Sequence, residues 1–269
     1  MHALAHPFFG EAAAVAPPGS MPRVANTLLP PFRCVCRIVA CSYDKPGYSL
    51  GTGFFVSPYH VVTCAHVIYP AEAPRTRTID VYPAQNGANQ AGGRYRANGW
   101  AIRRGWSPND CRTAGFDFGV IRLATPAPHG FFALRPFDAA TLRGKTVHLA
   151  GYPDVPDRRA QFMHQSLGSV SGTVTIQTCG VNARGEPTMG GRVVPLTSGA
   201  TGLVAHSLPA SHAVSGAPLW IDESGTRTLV AIHARSIDGG ASRAAVLVDD
   251  VVRAQITSWM NRELPPLRR

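Results

Sequence analysis

The chain has 269 residues, of which 45% are hydrophobic, and a formal net charge of +10. This supply of apolar side chains supports a sizeable core, so the composition excludes a disordered or fibrous protein. No stretch approaches the ~18 consecutive apolar residues that cross a bilayer, which excludes an integral membrane protein.

Residues 1–33 are rich in alanine and proline, and we predict that they form a flexible leader or pro-segment. Ala14–Ala16 resembles a signal-cleavage site. However, Glu11 interrupts the apolar run before it, and no basic residue precedes Arg23. The sequence therefore leaves secretion open.

Short strands separated by turns follow the leader. Runs rich in β-branched and aromatic residues alternate with turn signals such as Pro46-Gly47 and Ser57-Pro58. The predicted strands are 34–42, 51–56, 61–64, 78–82, 118–123, 146–150, 172–178, 229–234 and 244–248. This spacing predicts an all-β architecture of barrels or sandwiches.

One helix is predicted at the end of the chain. Asp249 or Asp250 can cap its first turn, and the helix continues to Asn261. An apolar stripe at helical spacing gives it one face for the core, formed by Val252, Ile256, Trp259 and Met260.

The cysteines and arginines restrict the possible functions less than the overall composition does. The chain has 6 cysteines without metal-type spacing, and Cys34 and Cys36 would point to opposite faces of a strand, which disfavours a shared zinc site. The 26 basic residues include only two lysines, Lys45 and Lys145, and are scattered along the chain. A generally basic exterior is the simplest interpretation, although the charge alone does not exclude nucleic-acid binding.

Three segments carry residues that nucleophilic catalysis needs. His66 follows two small residues after a glycine-flanked strand and a proline turn, which allows one ring nitrogen to face a cleft. Asp117 opens an apolar strand, where a buried carboxylate needs a donor such as an imidazole. Ser215 lies in a tight turn of small residues with backbone amides close by. Taken alone, these segments are more typical of a packed histidine, a strand-end acid and an ordinary turn.

The order of these segments resembles the trypsin/chymotrypsin serine protease family. The matching strings are Thr63–His66, Asp117–Leu123 and Ser215–Leu219, while Gly51–Phe54, Gly151–Pro153 and Val230–His233 look more like its bacterial-type glutamyl endopeptidase branch. The resemblance covers roughly Cys34 to Met260. It implies two antiparallel six-stranded β-barrels with the catalytic residues at their junction. The first barrel, 34–136, would carry His66 and Asp117. The second, 137–269, would carry Ser215 and end in the helix.

The resemblance also implies a mechanism. Ser215 Oγ would attack the scissile carbonyl while His66 takes its proton, and Asp117 would hold the imidazole in the required tautomer. The backbone amides of Ala213 and Ser215 would form the oxyanion hole. This mechanism requires neither a metal ion nor an organic cofactor.

One departure from the family pattern affects the oxyanion hole. The family prefers glycine two residues before the nucleophile, where this chain has Ala213. Glycine adopts backbone angles that alanine resists. Either the loop accommodates Ala213 with its amide turned inward, or the hole is poorly formed and the enzyme is weak, inducible or inactive.

Specificity is predicted from positions around the pocket. Relatives that select Arg or Lys carry an acid six residues before the serine, where this chain has Pro209. His233 aligns with the histidine that contacts the substrate carboxylate in glutamyl endopeptidases, which implies a preference for Glu; alternatively, His233 fills a strand position. Ala234, Arg235 and Ser236 would pair with the peptide backbone. Arg235 could instead reach an acidic group on the substrate, and Ser236 could narrow the pocket.

The leading hypothesis is a serine endopeptidase acting on protein or peptide substrates. The first alternative is a protease-fold binding protein whose chemistry is weakened, which Ala213 favours. The second is a polyanion-binding β-protein, which the arginine excess favours.

Overall fold

The computed structural model describes residues 21–44, 47–69, 75–108, 110–154, 160–181, 187–195, 202–223, 226–237 and 242–267. Residues 1–20 of the predicted leader and the turn signal at Pro46 lie outside this part of the chain. Among the described residues β-strand is the dominant secondary structure, and the longer of the two α-helices lies near the C-terminus.

The first half of the chain forms a closed antiparallel barrel. Its strands are β1 Val35–Ser42, β2 Ser49–Ser57, β3 His60–Thr63, β4 Thr76–Pro83, β5 Tyr95–Ile102 and β6 Gly119–Leu123. They follow the order β1-β2-β3-β6-β5-β4, and β4 pairs with β1 to close the barrel. A short helix, α1 Ala65–Ile68, begins directly after β3. Ile38, Phe54, Val62 and Ile121 are fully buried in the barrel core.

The second half forms another antiparallel barrel. Its strands are β7 Thr146–Gly151, β8 His164–Val181, β9 Pro187–Pro195, β10 Leu203–His206, β11 Pro218–Glu223, β12 Thr226–Ile237 and β13 Ser242–Leu247. The order is β10-β13-β12-β11-β7-β8-β9, and an additional pairing of β10 with β8 closes six of these strands into a ring. The predicted architecture of two six-stranded barrels is confirmed.

The predicted C-terminal helix is also confirmed, as α2 Asp250–Met260. Asp249 caps it, because its side chain accepts a hydrogen bond from Val252 N at 2.8 Å. The buried stripe contains Val252, Ile256 and Trp259. The Trp259 ring lies 5.6 Å from that of Phe118, centroid to centroid, so α2 packs against the first barrel beside the strand that follows Asp117.

The described part of the predicted leader contacts both barrels. Val24 N donates to Met163 O at 2.9 Å, and Arg23 forms a β-bridge with His164 at the start of β8. Thr27 Oγ1 donates to Ala84 O, beyond β4, at 2.6 Å. Residues 21–33 therefore lie across the outside of the two barrels.

The predicted strands lack four that the structure has, β5, β9, β10 and β11. In β5 charged, amide and glycine residues interrupt the apolar pattern, and Gly99 lies at a register shift opposite β6. Such irregular pairing hides the period of two that identifies a strand. Within the described ranges, neither α-helix has the length and apolar composition needed to cross a membrane.

Candidate active site

His66 and Asp117 form a hydrogen-bonded pair at the edge of the first barrel. His66 Nδ1 lies 2.8 Å from Asp117 Oδ2, and the His66 backbone N donates to Asp117 Oδ1 at 3.0 Å. The Asp117 side chain is fully buried, whereas that of His66 is 29% exposed. An ionised carboxylate only accepts hydrogen bonds, so Nδ1 carries the proton and Nε2 keeps a free electron pair. The imidazole is therefore in the tautomer that can act as a base.

A second cation reaches the same carboxylate. Arg235 Nη2 donates to Asp117 Oδ2 at 2.5 Å, and the Arg235 side chain is 5% exposed. Burial on its own would raise the pKa of Asp117. The charges of His66 and Arg235, together with the hydrogen bonds from His66, outweigh burial and hold that pKa well below its ordinary value. Asp117 is therefore ionised throughout the neutral range.

Ser215 lies where the two barrels meet. Thr52 in β2 binds both sides of the serine turn, because its backbone N donates to Ser215 O at 2.9 Å and its Oγ1 donates to Ala213 O at 3.0 Å. Thr52 Oγ1 also accepts from Tyr152 N at 3.0 Å. These bonds hold the turn of the second barrel against the strands that lead to His66.

The Ser215 hydroxyl is hydrogen-bonded to a backbone carbonyl of the second barrel. Its Oγ donates to Ala234 O in β12 at 3.1 Å, and the residue is partly exposed. The structure thus brings His66 and Asp117 into contact, and it places Ser215 at the same junction with its hydroxyl bonded to β12.

The backbone at Ala213, two residues before Ser215, adopts a conformation that glycine adopts more easily than alanine. Ala213 has a φ of 67°, in the left-handed region that favours glycine, so the loop accommodates alanine there. In the described part of the chain, the amides of Ala213 and Ser215 donate to no protein acceptor. Both remain available to an incoming oxygen.

His233 lies in β12 beside a second buried histidine, His206 in β10. His206 Nε2 lies 3.1 Å from His233 Nδ1. Burial lowers the pKa of His206 to about 3, and burial together with His206 and Arg243 lowers the pKa of His233 well below its ordinary value, so both rings are neutral. Among the described residues, the buried His206 Nδ1 has no hydrogen-bond partner, and a buried N–H without an acceptor is rarer than a bare acceptor. We therefore assign the shared proton to His206 Nε2, which leaves His233 Nε2 as a donor.

The remaining predicted pocket residues differ in exposure. Ser236 is exposed, and Ala234 is buried with its carbonyl bonded to Ser215. The Arg235 guanidinium does not extend towards a substrate acid, as the alternative would require, because it is buried against Asp117. A register shift between His233 and Arg235 in the pairing of β12 with β13 makes Ala234 an extra residue at this point.

Cys64, His66 and Asp117 offer three potential metal-ligand atoms within 4.8 Å of one another. Their environment does not suit a cation. Burial, followed by the charge of Asp117, raises the pKa of the Cys64 thiol, which therefore stays protonated and donates to His233 O at 3.1 Å. Asp117 Oδ2 already receives His66 and Arg235, and the guanidinium would repel a metal ion.

Sequence reasoning missed Thr52 and His206. Thr52 had a usable signal, since a polar residue between two glycines in an apolar strand indicates a buried hydroxyl with a specific partner. His206 follows three apolar residues in a four-residue strand, and nothing in its local sequence relates it to His233.

Sequence and structure comparisons agree with this arrangement. The family profile described as "Trypsin-like peptidase domain" matches residues 51–232. A glutamyl endopeptidase of Bacillus licheniformis is 25% identical over 251 residues, covering 89% of this chain and 66% of the relative. An extracellular metalloprotease of Bacillus subtilis is 24% identical over 245 residues, covering 89% and 67%. The chain thus spans about two thirds of the length of these curated relatives.

The fold also matches solved structures. A Glu endopeptidase in complex with MPD superposes with a TM-score of 0.69 and 18% sequence identity, covering 90% of this chain and 97% of that one. The family profile extends over more than half of the chain and includes His66, Asp117 and Ser215. The chain therefore belongs to the trypsin-like peptidase domain family.

Proposed function

We propose that this protein is a serine endopeptidase in which Ser215, His66 and Asp117 form the catalytic triad. The observation that carries the proposal is the His66–Asp117 pair, because Asp117 fixes the imidazole tautomer in which Nε2 can accept a proton. Ser215 supports it by lying in a turn that Thr52 binds to the same barrel.

The proposed reaction begins when Ser215 Oγ leaves Ala234 O by rotation about χ1, a fast motion for a partly exposed side chain. His66 Nε2 then takes the hydroxyl proton as Oγ attacks the peptide carbonyl, and the imidazolium later gives it to the leaving amine. The resulting acyl-enzyme is hydrolysed by water in the same manner. The amides of Ala213 and Ser215 donate to the oxyanion that develops.

We test the triad with a fluorophosphonate probe, which phosphonylates activated serines. The wild-type chain is expected to be labelled, and the Ser215→Ala variant is expected to lose the label completely. Ser211→Ala, in the same turn but four residues away, is the control that should still react. Label that persists in the Ser215→Ala variant would remove Ser215 from the mechanism.

A catalytically weakened binding protein is the second candidate. Two observations favour it: Ser215 Oγ donates to Ala234 O, and Ala213 replaces the glycine that the family prefers. A chain that is folded by circular dichroism, yet unlabelled by the probe, would support this candidate over the peptidase.

We further propose that the peptidase prefers Glu before the scissile bond. The assigned tautomers leave the neutral His233 with Nε2–H as a donor for a substrate carboxylate, and the exposed Ser236 hydroxyl lies three residues further along. The Bacillus licheniformis relative is named for the same preference. The net charge of +10 adds a weak attraction for acidic peptides.

This preference is tested with two peptides that differ only in Glu or Gln before the scissile bond. We expect kcat/KM to be at least about 10-fold higher for Glu, and we expect His233→Asn to remove most of that ratio. His148→Asn is the control, because His148 stacks on Trp220 and lies outside the predicted pocket. Equal cleavage of both peptides by the wild-type enzyme would contradict the preference.

A further inference from the structure

A buried ion pair joins Arg235 to the proposed catalytic carboxylate. Arg235 Nη2 is 2.5 Å from Asp117 Oδ2, the same oxygen that accepts from His66 Nδ1 at 2.8 Å. The Arg235 and Asp117 side chains are 5% and 0% exposed. Because water and salt have little access, the guanidinium charge acts on this oxygen with little screening.

The other groups around His66 contribute less charge. In the part of the chain that the structure describes, the titratable and charged groups in or next to the site are Cys64, Asp117, His206, His233, Arg235 and Arg243. Burial raises the pKa of the Cys64 thiol and lowers those of the two histidines, so these three groups are uncharged at neutral pH. Arg243 lies in β13, where it is paired with His206 of β10. Of these groups, Asp117 bonds to the imidazole and Arg235 bonds to Asp117, and both are charged.

We propose that Arg235 is a positioning residue that offsets the charge of Asp117 and thereby extends the activity of the enzyme into acidic solution. The proposal rests on the proposed function, in which His66 must be neutral to take the proton from Ser215. A carboxylate alone stabilises the imidazolium, whereas a guanidinium on the same oxygen cancels much of that attraction. The protonated form of His66 is therefore stabilised less than it would be beside Asp117 alone.

A purely structural role for Arg235 predicts something different. A buried carboxylate that lacks its cation is costly, so removing Arg235 lowers stability in either case. A structural role alone would change the stability, or kcat at every pH, without moving the pH at which activity falls. The pH profile therefore distinguishes the two roles.

The test compares kcat/KM against pH for the wild-type enzyme, Arg235→Gln and Arg235→Lys. Removing the positive charge favours the protonated imidazole, so the acid-side midpoint of Arg235→Gln should rise by about one pH unit. Arg235→Lys keeps the charge, and its midpoint should stay near that of the wild-type enzyme. A folded Arg235→Gln enzyme with an unchanged midpoint overturns the proposal.

A second measurement is independent of peptidase activity. The NMR signal of the His66 ring can be titrated in the Ser215→Ala background, with and without Arg235→Gln, and the same upward shift is expected. A shift without any detectable proteolysis would support the role of Arg235 while rejecting the proposed function. If Arg235→Gln does not fold, Arg235→Met replaces it in both measurements, because it also removes the charge and keeps a long side chain. An unchanged acid-side midpoint in that folded variant overturns the proposal.

Discussion

Replacing Asp117 with asparagine is expected to lower kcat/KM about 10⁴-fold in the proposed mechanism, as the loss of the correct imidazole tautomer does in related triads. Both carboxylate oxygens of Asp117 receive donors: His66 N on Oδ1, and His66 Nδ1 with Arg235 Nη2 on Oδ2. An asparagine must direct its NH₂ group at one side. If the NH₂ group faces Nδ1, it donates a hydrogen bond to that nitrogen, and the ring proton must then lie on Nε2. The imidazole can no longer take a proton from Ser215.

The matched control for this variant is Asp80→Asn. Asp80 is also buried in the first barrel, and it also binds two arginines, with Arg94 Nη2 at 2.8 Å and Arg96 Nε at 2.7 Å. It lies in β4, on a strand that does not contribute to the site. Asp80→Asn should lower stability yet leave kcat/KM within about two-fold. A comparable loss of kcat/KM in both variants would mean that misfolding, and not the tautomer, explains the Asp117 effect.

The sequence could predict the components of the site because each follows from a local rule. Asp117 opens an apolar strand and is fully buried, so it required a donor, and the structure provides His66. The cap at Asp249 and the buried face of α2 follow from side-chain chemistry and helical spacing in the same way.

Features that depend on pairing across the molecule could not be predicted. The direction of Arg235 depends on the register shift after His233, which is set by how β12 pairs with β13. The hydrogen bond of Ser215 Oγ depends on a carbonyl of β12, 19 residues further along the chain. Neither has a local signal, because a bulge and a rotamer reflect which backbone groups are nearby after folding.

Gly216→Ala is expected to destabilise the protein by about 2–5 kcal/mol and to reduce kcat/KM by more than about 100-fold. A Cβ at this position would lie 2.1 Å from Thr52 O, 2.2 Å from Thr63 Oγ1 and 3.0 Å from Cys64 N. These atoms belong to strands of the first barrel and to the residue after β3, two residues before His66, and they cannot move aside cheaply. The methyl group would therefore push the Ser215 turn away from the imidazole.

Gly144→Ala separates this clash from backbone strain. Gly144 has a φ of +76°, close to the +89° of Gly216, but a Cβ there would meet nothing within 4 Å. We expect it to cost about 1 kcal/mol of unfolding free energy and to leave kcat/KM unchanged. Denaturant unfolding and peptide hydrolysis measure both quantities. If Gly216→Ala behaved like Gly144→Ala, the close approach of the serine turn to Thr52 would have no part in aligning Ser215 with His66.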